Sequence, residues 1–434
     1  MQEKKKIKVL WITTSPTGVA SRILHIANAG SSGGWVLSAY DSLKDREDVE
    51  IVFASSSKSI ARGKMIKRTE SGITAYCTHL GRVSFGVRPH REDIAAWKAI
   101  IDEVRPDLIH VWGTETSVQR DALLANGNRI PSVIFIQGLI GIHNHYQDGY
   151  FFSKENAPYR SLLGRMKSII PHLKSRYFRN QIASEQTAIR MSGRIITDNQ
   201  FTRDYCSSVY RECKFYSCPL PVNAAFLEAS WSLEACKRHQ IFTLFGLSGS
   251  KGMHQLLKAL ALVEKRIPDV KLVMPGPTRL KDELRSNPLT LKYYELWMQR
   301  FIVKNALEKN VVFAGKLSAE EMVEQIRGCN VYVMPSAMEV HAGSLREAML
   351  VGAPSISTYC GSVPEFVKSG ENGFMYRYED YEILAERIML VLGDDSLARE
   401  MAQRGRATSR AMFDDHKDES IYGIYLAIIG EQAS

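Results

Sequence analysis

Glu339 and Glu347 stand eight positions apart in "PSAMEVHAGSLREAMLVGAP", residues 335–354, with the small-residue run His341-Ala342-Gly343-Ser344 between them. A short apolar strand-like run precedes Glu339, and Glu347 opens an apolar stretch with the composition of a buried helix. Carboxylates accept hydrogen bonds from hydroxyl groups. Small residues at a helix start let a ligand approach the free backbone N–H groups, where an anion is favoured. The pattern suits a ligand that carries both hydroxyls and negative charge. A solvated loop before a helix that favours acids at its N-terminus is the plainer reading of the same residues.

Two more strand-to-helix turns are rich in small residues: "GLSGSKG" (246–252) and "GSSGGW" (30–35). In the first of these Lys251 sets a cation at a helix start, against the preference of the helix dipole. That local cost makes sense if an anion lies between lysine and helix; a solvated surface lysine is the alternative. Other chemistry is excluded. The chain has no Gly-x-x-x-x-Gly-Lys-Ser/Thr loop, no Gly-x-Gly-x-x-Gly, no His-Glu-x-x-His and no Asp-x-Asp. His110 in "DLIHVWGTE" lies inside a strand, where a buried, hydrogen-bonded histidine is favoured. His143 and His145 alternate as metal ligands can, lack a third partner nearby, and read as loop residues.

The elements that must position these groups repeat a pattern of short β-branched runs followed by helices. "KVLWITT", "VEIVFASS", "ITAYCTHL", "DLIHVWG", "SVIFIQG" and "GRIITDN" fill the first half, and "QIFTLFG", "VKLVMPG", "NVVFAG", "NVYVMPS" and "APSISTY" the second. Near-continuous apolar strands alternating with helices imply parallel sheets covered on both faces. Residues 215–239 break the pattern with two prolines and no clean period. The organisation expected is therefore an α/β domain over 1–215, a linker over 216–239 and a second over 240–417, with the apolar helix of 418–434 packing back on the first. Ligands should sit outside the carboxyl ends of the strands.

The chain has 434 residues, 45% of them hydrophobic and 24% charged, the balance of a globular protein too large for one core. The net charge of +9 permits an anionic partner without selecting one. Eight Lys or Arg against two Glu crowd 154–190, interleaved with apolar residues. Such a stretch can lie on an anionic membrane, or be helices with a solvated basic face. Seven single cysteines with no Cys-x-x-Cys pair indicate reduced thiols. The first apolar run is too short for a signal peptide or anchor, and the location expected is cytoplasmic, with contact at the inner membrane face.

"LSGSKGMHQLLKAL", "VYVMPSAMEVHAGSLREAMLVGAPSISTYCGSVPEFVKSGENGFMY" and their spacing resemble the retaining, nucleotide-sugar-dependent glycosyltransferases of the GT-B fold, the glycosyl transferases group 1 that include sucrose synthases and bacterial glycogen synthases. The signature Glu-x7-Glu is met by Glu339 and Glu347, and the likeness covers about residues 240–410. It implies two Rossmann-like domains facing across a cleft and a UDP-, GDP- or ADP-sugar donor, with no metal or other cofactor. Lys251 would bind the diphosphate, Glu347 the ribose and Glu339 the transferring sugar. Ala342, Gly343, Ser344 and Leu345 would offer backbone amides, Lys316 and Leu317 beside Gly315 would run along the base, and Gly33 and Gly34 would close on the phosphates. The chain departs from the family at three places. Gly246 replaces an arginine that supplies a second diphosphate cation, for which Arg279 and Arg346 are candidate substitutes. Gln137 replaces a histidine near the reacting carbon and is itself a candidate site residue; His110 is a candidate beside its favoured buried reading. Val340-His341-Ala342 replaces Gly-Phe-Gly.

The function expected is retaining glycosyl transfer to a saccharide or lipid-linked saccharide in bacterial-type surface polysaccharide synthesis. The alternatives are a non-catalytic nucleotide-sugar-binding protein on a decayed scaffold, made credible by Gly246 and Gln137, and a sugar-nucleotide epimerase of the same fold.

Overall fold

A computed structural model describes residues 6–26, 34–81, 89–146, 149, 151, 156, 171–210, 212–244, 248–276, 293–414 and 420–431. They divide into two compact units, the first drawn from 1–144, 172–222 and 416–434, the second from 145–171 and 223–415.

In the first unit eight strands form one sheet: β1 (Ile7–Ile12), β2 (Val49–Ser57), β3 (Met65–Glu70), β4 (Ile73–His79), β5 (Leu108–Trp112), β6 (Ser132–Phe135), β7 (Arg194–Ile196) and β8 (Lys214–Tyr216). Their order is β3-β4-β2-β1-β5-β6-β7-β8, and every pairing is parallel except the β3–β4 hairpin. Val9, Leu10, Trp11 and Ile12 of β1 are wholly buried, as befits a strand covered on both faces. β3 was not expected from the apolar pattern because its face is solvated; Lys67, Arg68 and Glu70 blunt an exposed edge.

The C-terminal helix Ile421–Gly430 belongs to this unit and seals its core with Ile421, Ile424, Tyr425 and Ile428. Burial of each such side chain contributes about 1.5–3 kcal/mol. Tyr425 Oη accepts from Trp11 Nε1 at 2.9 Å and lies 2.5 Å from His110 Nδ1. His110 also stacks on Trp112 at 4.3 Å between ring centroids. Burial pushes its pKa down to about 3, so the ring is neutral. His110 is a buried, hydrogen-bonded core residue on β5, as its strand context led one to expect, and it does not serve as a site residue. At the end of the same helix Glu431 accepts from Tyr216 Oη at 2.6 Å and pairs with Lys214 and Arg194.

In the second unit six strands, β9 (Gln240–Phe242), β10 (Lys271–Met274), β11 (Val311–Phe313), β12 (Val331–Met334), β13 (Ser355–Thr358) and β14 (Phe374–Tyr376), run parallel in the order β11-β10-β9-β12-β13-β14. The segment 216–239 differs from the expected irregular linker. Lys214–Tyr216 is a strand of the first unit, and the helix Ala224–Glu228 packs on the second. Trp231 donates from Nε1 to the Cys329 carbonyl at 2.8 Å and from its backbone to that of Val351 at 2.8 Å. The boundary expected at 215 also misses Phe151 and Asn156, which belong to the second unit. Phe151 packs among His254, Tyr294 and Trp297, and the Asn156 carbonyl accepts from Trp297 Nε1 at 3.2 Å.

Tyr425→Phe removes the one oxygen that both Trp11 and His110 use. Leaving two buried polar nitrogens without it should destabilise the protein by about 1–3 kcal/mol in urea titrations. A loss under about 0.5 kcal/mol would show that the hydroxyl does not organise this core.

Candidate functional site

The strand order of the second unit runs one way from β9 to β11 and the other way from β9 through β12 to β14. Loops leaving the carboxyl ends of β9 and β12 therefore diverge from neighbouring strands, which is where open parallel sheets bind ligands. Here the two loops are stitched together. The Ala337 amide donates to the Ser250 carbonyl at 2.7 Å. Gly252, at φ +69°, passes so close to Pro335 that a Cβ would lie 1.7 Å from the Pro335 carbonyl oxygen. The loop after β13 joins them: a Cβ on Gly361 would lie 1.7 Å from the Glu339 carbonyl oxygen, and Thr358 Oγ1 donates to the Ser336 carbonyl.

This closure brings Lys251 and Glu339, 88 positions apart in sequence, into an ion pair between Nζ and Oε1. Lys251 ends the 3-10 turn Gly249–Lys251 that precedes the helix Met253–Glu264. Its side chain is 43% exposed, whereas that of Glu339 is 18% exposed. The charge of Glu339 raises the Lys251 pKa above the ordinary lysine range, so the ammonium is retained.

The loop after β12 ends in the helix Gly343–Val351, with Ala342 at its N-cap in the left-handed region, φ 47° and ψ 40°. No side chain caps this terminus. The amides of Leu345 and Arg346 bond the Ala342 carbonyl at 3.0 and 3.1 Å. Leu345 is thus engaged within the turn, and Gly343 and Ser344 are the first helical amides facing outward along the axis. Glu347 is the fifth residue of this helix rather than a member of its first turn, so attraction to the helix terminus does not account for it. Burial pushes its pKa up to about 7, and no side chain among the described residues hydrogen-bonds its carboxyl group. A part-buried acid held near neutrality beside a helix start is suited to accept from ligand hydroxyls.

The remaining sequence candidates fall differently. Lys316 is exposed and Leu317 part-buried just beyond Gly315 (φ +82°), at the carboxyl end of β11. Arg346 is buried at 6% exposure. Gly34 opens the helix Gly34–Asp41 in the first unit, and Gln137 lies part-buried after β6. Gly33, Gly246, Arg279 and, within the basic stretch 154–190, residues 154, 155 and 157–170 lie outside the described residues. Among the described residues no group of three or more His, Cys, Asp or Glu could hold a metal ion.

Sequence reasoning missed two arrangements. Behind Lys251, Tyr378 Oη lies 2.9 Å from the Gly249 carbonyl and 3.0 Å from that of Gly149, which also accepts from His254 Nε2 at 2.9 Å. This network anchors the turn that carries the lysine; no motif marks it. In the first unit Glu185 is fully buried and accepts from the amides of Ile140 (2.7 Å) and Gly141 (3.1 Å) and from Thr114 Oγ1 (3.1 Å). Burial, with the charge of Glu185 a lesser cause, pushes Glu115 beside it up to about 7.

Both units have the Rossmann-like sheet of the GT-B glycosyltransferases. Sucrose-phosphate synthase from Thermosynechococcus elongatus superposes with a TM-score of 0.71 at 17% identity, over 99% of this chain and 100% of that one. Anabaena HepE, solved in complex with UDP-glucose, gives a TM-score of 0.63 at 15% identity over 98% and 99%. Residues 232–408 match the family Glycosyl transferases group 1. The lipopolysaccharide core biosynthesis glycosyltransferase LpsE of Rhizobium meliloti is 28% identical over 182 residues, 42% of this chain and 47% of LpsE. The second unit is thus a module of the glycosyl transferases group 1 family. The chain spans under half the length of the curated relatives it matches.

Because the Glu347 carboxyl keeps its proton to about pH 7 when folded but to about 4.5 when unfolded, folding binds a proton between these values and stability falls as pH rises through them. Glu347→Gln should therefore stabilise the protein at pH 8 by about 1–3 kcal/mol and leave it nearly unchanged at pH 4. Equal effects of the substitution at both pH values in chemical denaturation would contradict this electrostatic assignment.

Proposed function

We propose that the protein is a glycosyltransferase that moves a sugar, with retention of configuration, from a nucleoside diphosphate sugar to a saccharide or lipid-linked saccharide acceptor in surface polysaccharide synthesis. One observation carries the reading: Lys251, Glu339, Glu347 and the outward amides of Gly343 and Ser344 are gathered on two stitched loops at the strand-order reversal. HepE, of the same fold, was solved with UDP-glucose, and LpsE acts in lipopolysaccharide core biosynthesis, which supports the donor class and the acceptor class.

In this reading the diphosphate rests on the Gly343 and Ser344 amides and meets the Lys251 ammonium. The ribose hydroxyls donate to Glu347, and a hydroxyl of the transferring sugar donates to Glu339. As the bond from the anomeric carbon to the phosphate oxygen breaks, negative charge grows on the diphosphate, where lysine and helix amides stabilise it. The acceptor oxygen bonds the anomeric carbon on the face the leaving group vacates, and its proton passes to the departing diphosphate. A ligand carrying both hydroxyls and phosphates explains why two carboxylates flank a single amide-rich turn. Among the described residues no helix is long and apolar enough to cross a membrane. A lipid-linked acceptor would be met at the inner membrane surface, which the basic composition of 154–190 suits.

Calorimetric titration with UDP, GDP, ADP, CMP and NAD tests the reading. Saturable binding of one nucleoside diphosphate is expected, weakened about tenfold or more in Glu347→Ala by loss of the ribose hydrogen bonds. No binding by any of them would favour the non-catalytic scaffold. Turnover of the sugar donor with no second substrate would favour an epimerase.

A further inference from the structure

A buried phenol lies beneath the amide-rich turn. Tyr332 is the second residue of β12, in register with Phe242 of β9 on one side and Ser355 of β13 on the other, so it stands on the strand next to the reversal of order. It is 1% exposed, and its ring lies 6.1 Å from that of Phe242. Among the described residues its Oη has no hydrogen-bond partner. Its polar neighbours nevertheless include Ser344, Glu347 and Glu339, the residues of the ligand turn. Burial holds the phenol above the ordinary tyrosine range, so the O–H is kept.

A buried hydroxyl without a partner is unfavourable, and in folded proteins such groups are nearly always satisfied. Ser344 offers the way. It is the second residue of the helix Gly343–Val351 and is part-buried, whereas Tyr332 beneath it is wholly buried. A serine hydroxyl can donate one hydrogen bond and accept others at the same time. If it donates outward to an anion at the helix start, its lone pairs are left for a donor behind it, and the Tyr332 O–H is such a donor.

Resting on the donor-site reading above, we propose that Tyr332 and Ser344 form a two-hydroxyl relay to the donor diphosphate, in which the Tyr332 O–H donates to Ser344 Oγ and the Ser344 O–H donates to a phosphate oxygen. The relay completes only when the anion arrives. A phosphate oxygen draws the serine proton outward, and the lone pairs facing the strand then accept from the phenol. Each bond polarises the next, so the pair strengthens as negative charge grows on the leaving diphosphate. Ser344 thus serves the ligand with its hydroxyl as well as its backbone amide, in addition to the Lys251 ammonium. Tyr332 is a positioning residue that acts through the serine without touching the ligand.

Calorimetric titration with UDP, GDP and ADP should be made on the full chain, on Tyr332→Phe, Ser344→Ala and Glu347→Ala, and on Tyr332→Phe combined with each of the other two. Urea titration of every ligand-free protein accompanies it. Tyr332→Phe is expected to leave the urea midpoint of the free protein unchanged or raised, because the hydroxyl it removes has no partner there. The same variant should bind the nucleoside diphosphate about three- to tenfold more weakly. Ser344→Ala should weaken binding by at least as much, and adding Tyr332→Phe to it should cost nothing further. With Glu347→Ala the two losses should instead multiply.

The relay and the donor site can fail separately. If the parent binds a nucleoside diphosphate and Tyr332→Phe binds it equally well, the relay is wrong while the nucleotide site stands. A Tyr332→Phe protein destabilised without ligand would show the hydroxyl already engaged, and coupling to Glu347 in place of Ser344 would assign the phenol to the ribose; either result overturns the relay. If neither the parent nor any variant binds a nucleoside diphosphate, the donor-site reading falls and the relay with it.

Discussion

The constraint on which the site depends is the reversal of strand order beside β9. Only there do two adjacent parallel strands send their chains to opposite sides, so only there can two loops approach each other over a sheet end. Everything chemical in the second unit follows from how tightly this gap is closed. Gly252 and Gly361 allow backbone to touch backbone, and the Ala337–Ser250 hydrogen bond fixes the register of the loops. A lysine and a glutamate far apart in sequence then meet as a consequence of topology rather than of local pattern.

Two titratable groups at this point are set in opposite ways. Lys251 is locked as a cation by its neighbour, whereas Glu347 is drawn toward neutrality by burial. The helix that carries Glu347 begins on a left-handed alanine with no side-chain cap, leaving its first amides to whatever approaches. An N-cap serine or aspartate would be the more stable choice by about 1 kcal/mol, and its absence is consistent with a terminus kept for a ligand. The turn that bears Lys251 is supported from behind by Tyr378, His254 and the Gly149 carbonyl. Burial pushes the His254 pKa down to about 3, so this support stays neutral while the front of the site is charged.

Much of this was legible from the sequence because parallel strands buried on both faces are near-continuous apolar runs, as in β1 and β12. Three strands escaped. β3 is solvated and charged, and β8 and β14 are three residues long within Pro- and Gly-punctuated stretches, too short to show a period. Glu339 and Glu347 stood out as acids on either side of a run of small residues, and Lys251 as a cation at a helix start, where the dipole disfavours it. Their pairing was not legible, since it depends on strand order. The strand context of His110 pointed to a buried histidine, but its partner Tyr425, 315 positions away, was not legible. The supporting network of Tyr378 and Gly149 left no trace either, because a carbonyl acceptor has no residue type.

The central claim is that the ligand site of the second unit is formed by the β9 and β12 loops. Hydrogen exchange read by mass spectrometry, with and without saturating nucleoside diphosphate, addresses it most directly. The account predicts slowed exchange in peptides covering 248–252 and 340–347, largest at Gly343 and Ser344, with little change around β10 and β14. Protection confined to other loops of the second unit, or none at 340–347 despite binding, would contradict it.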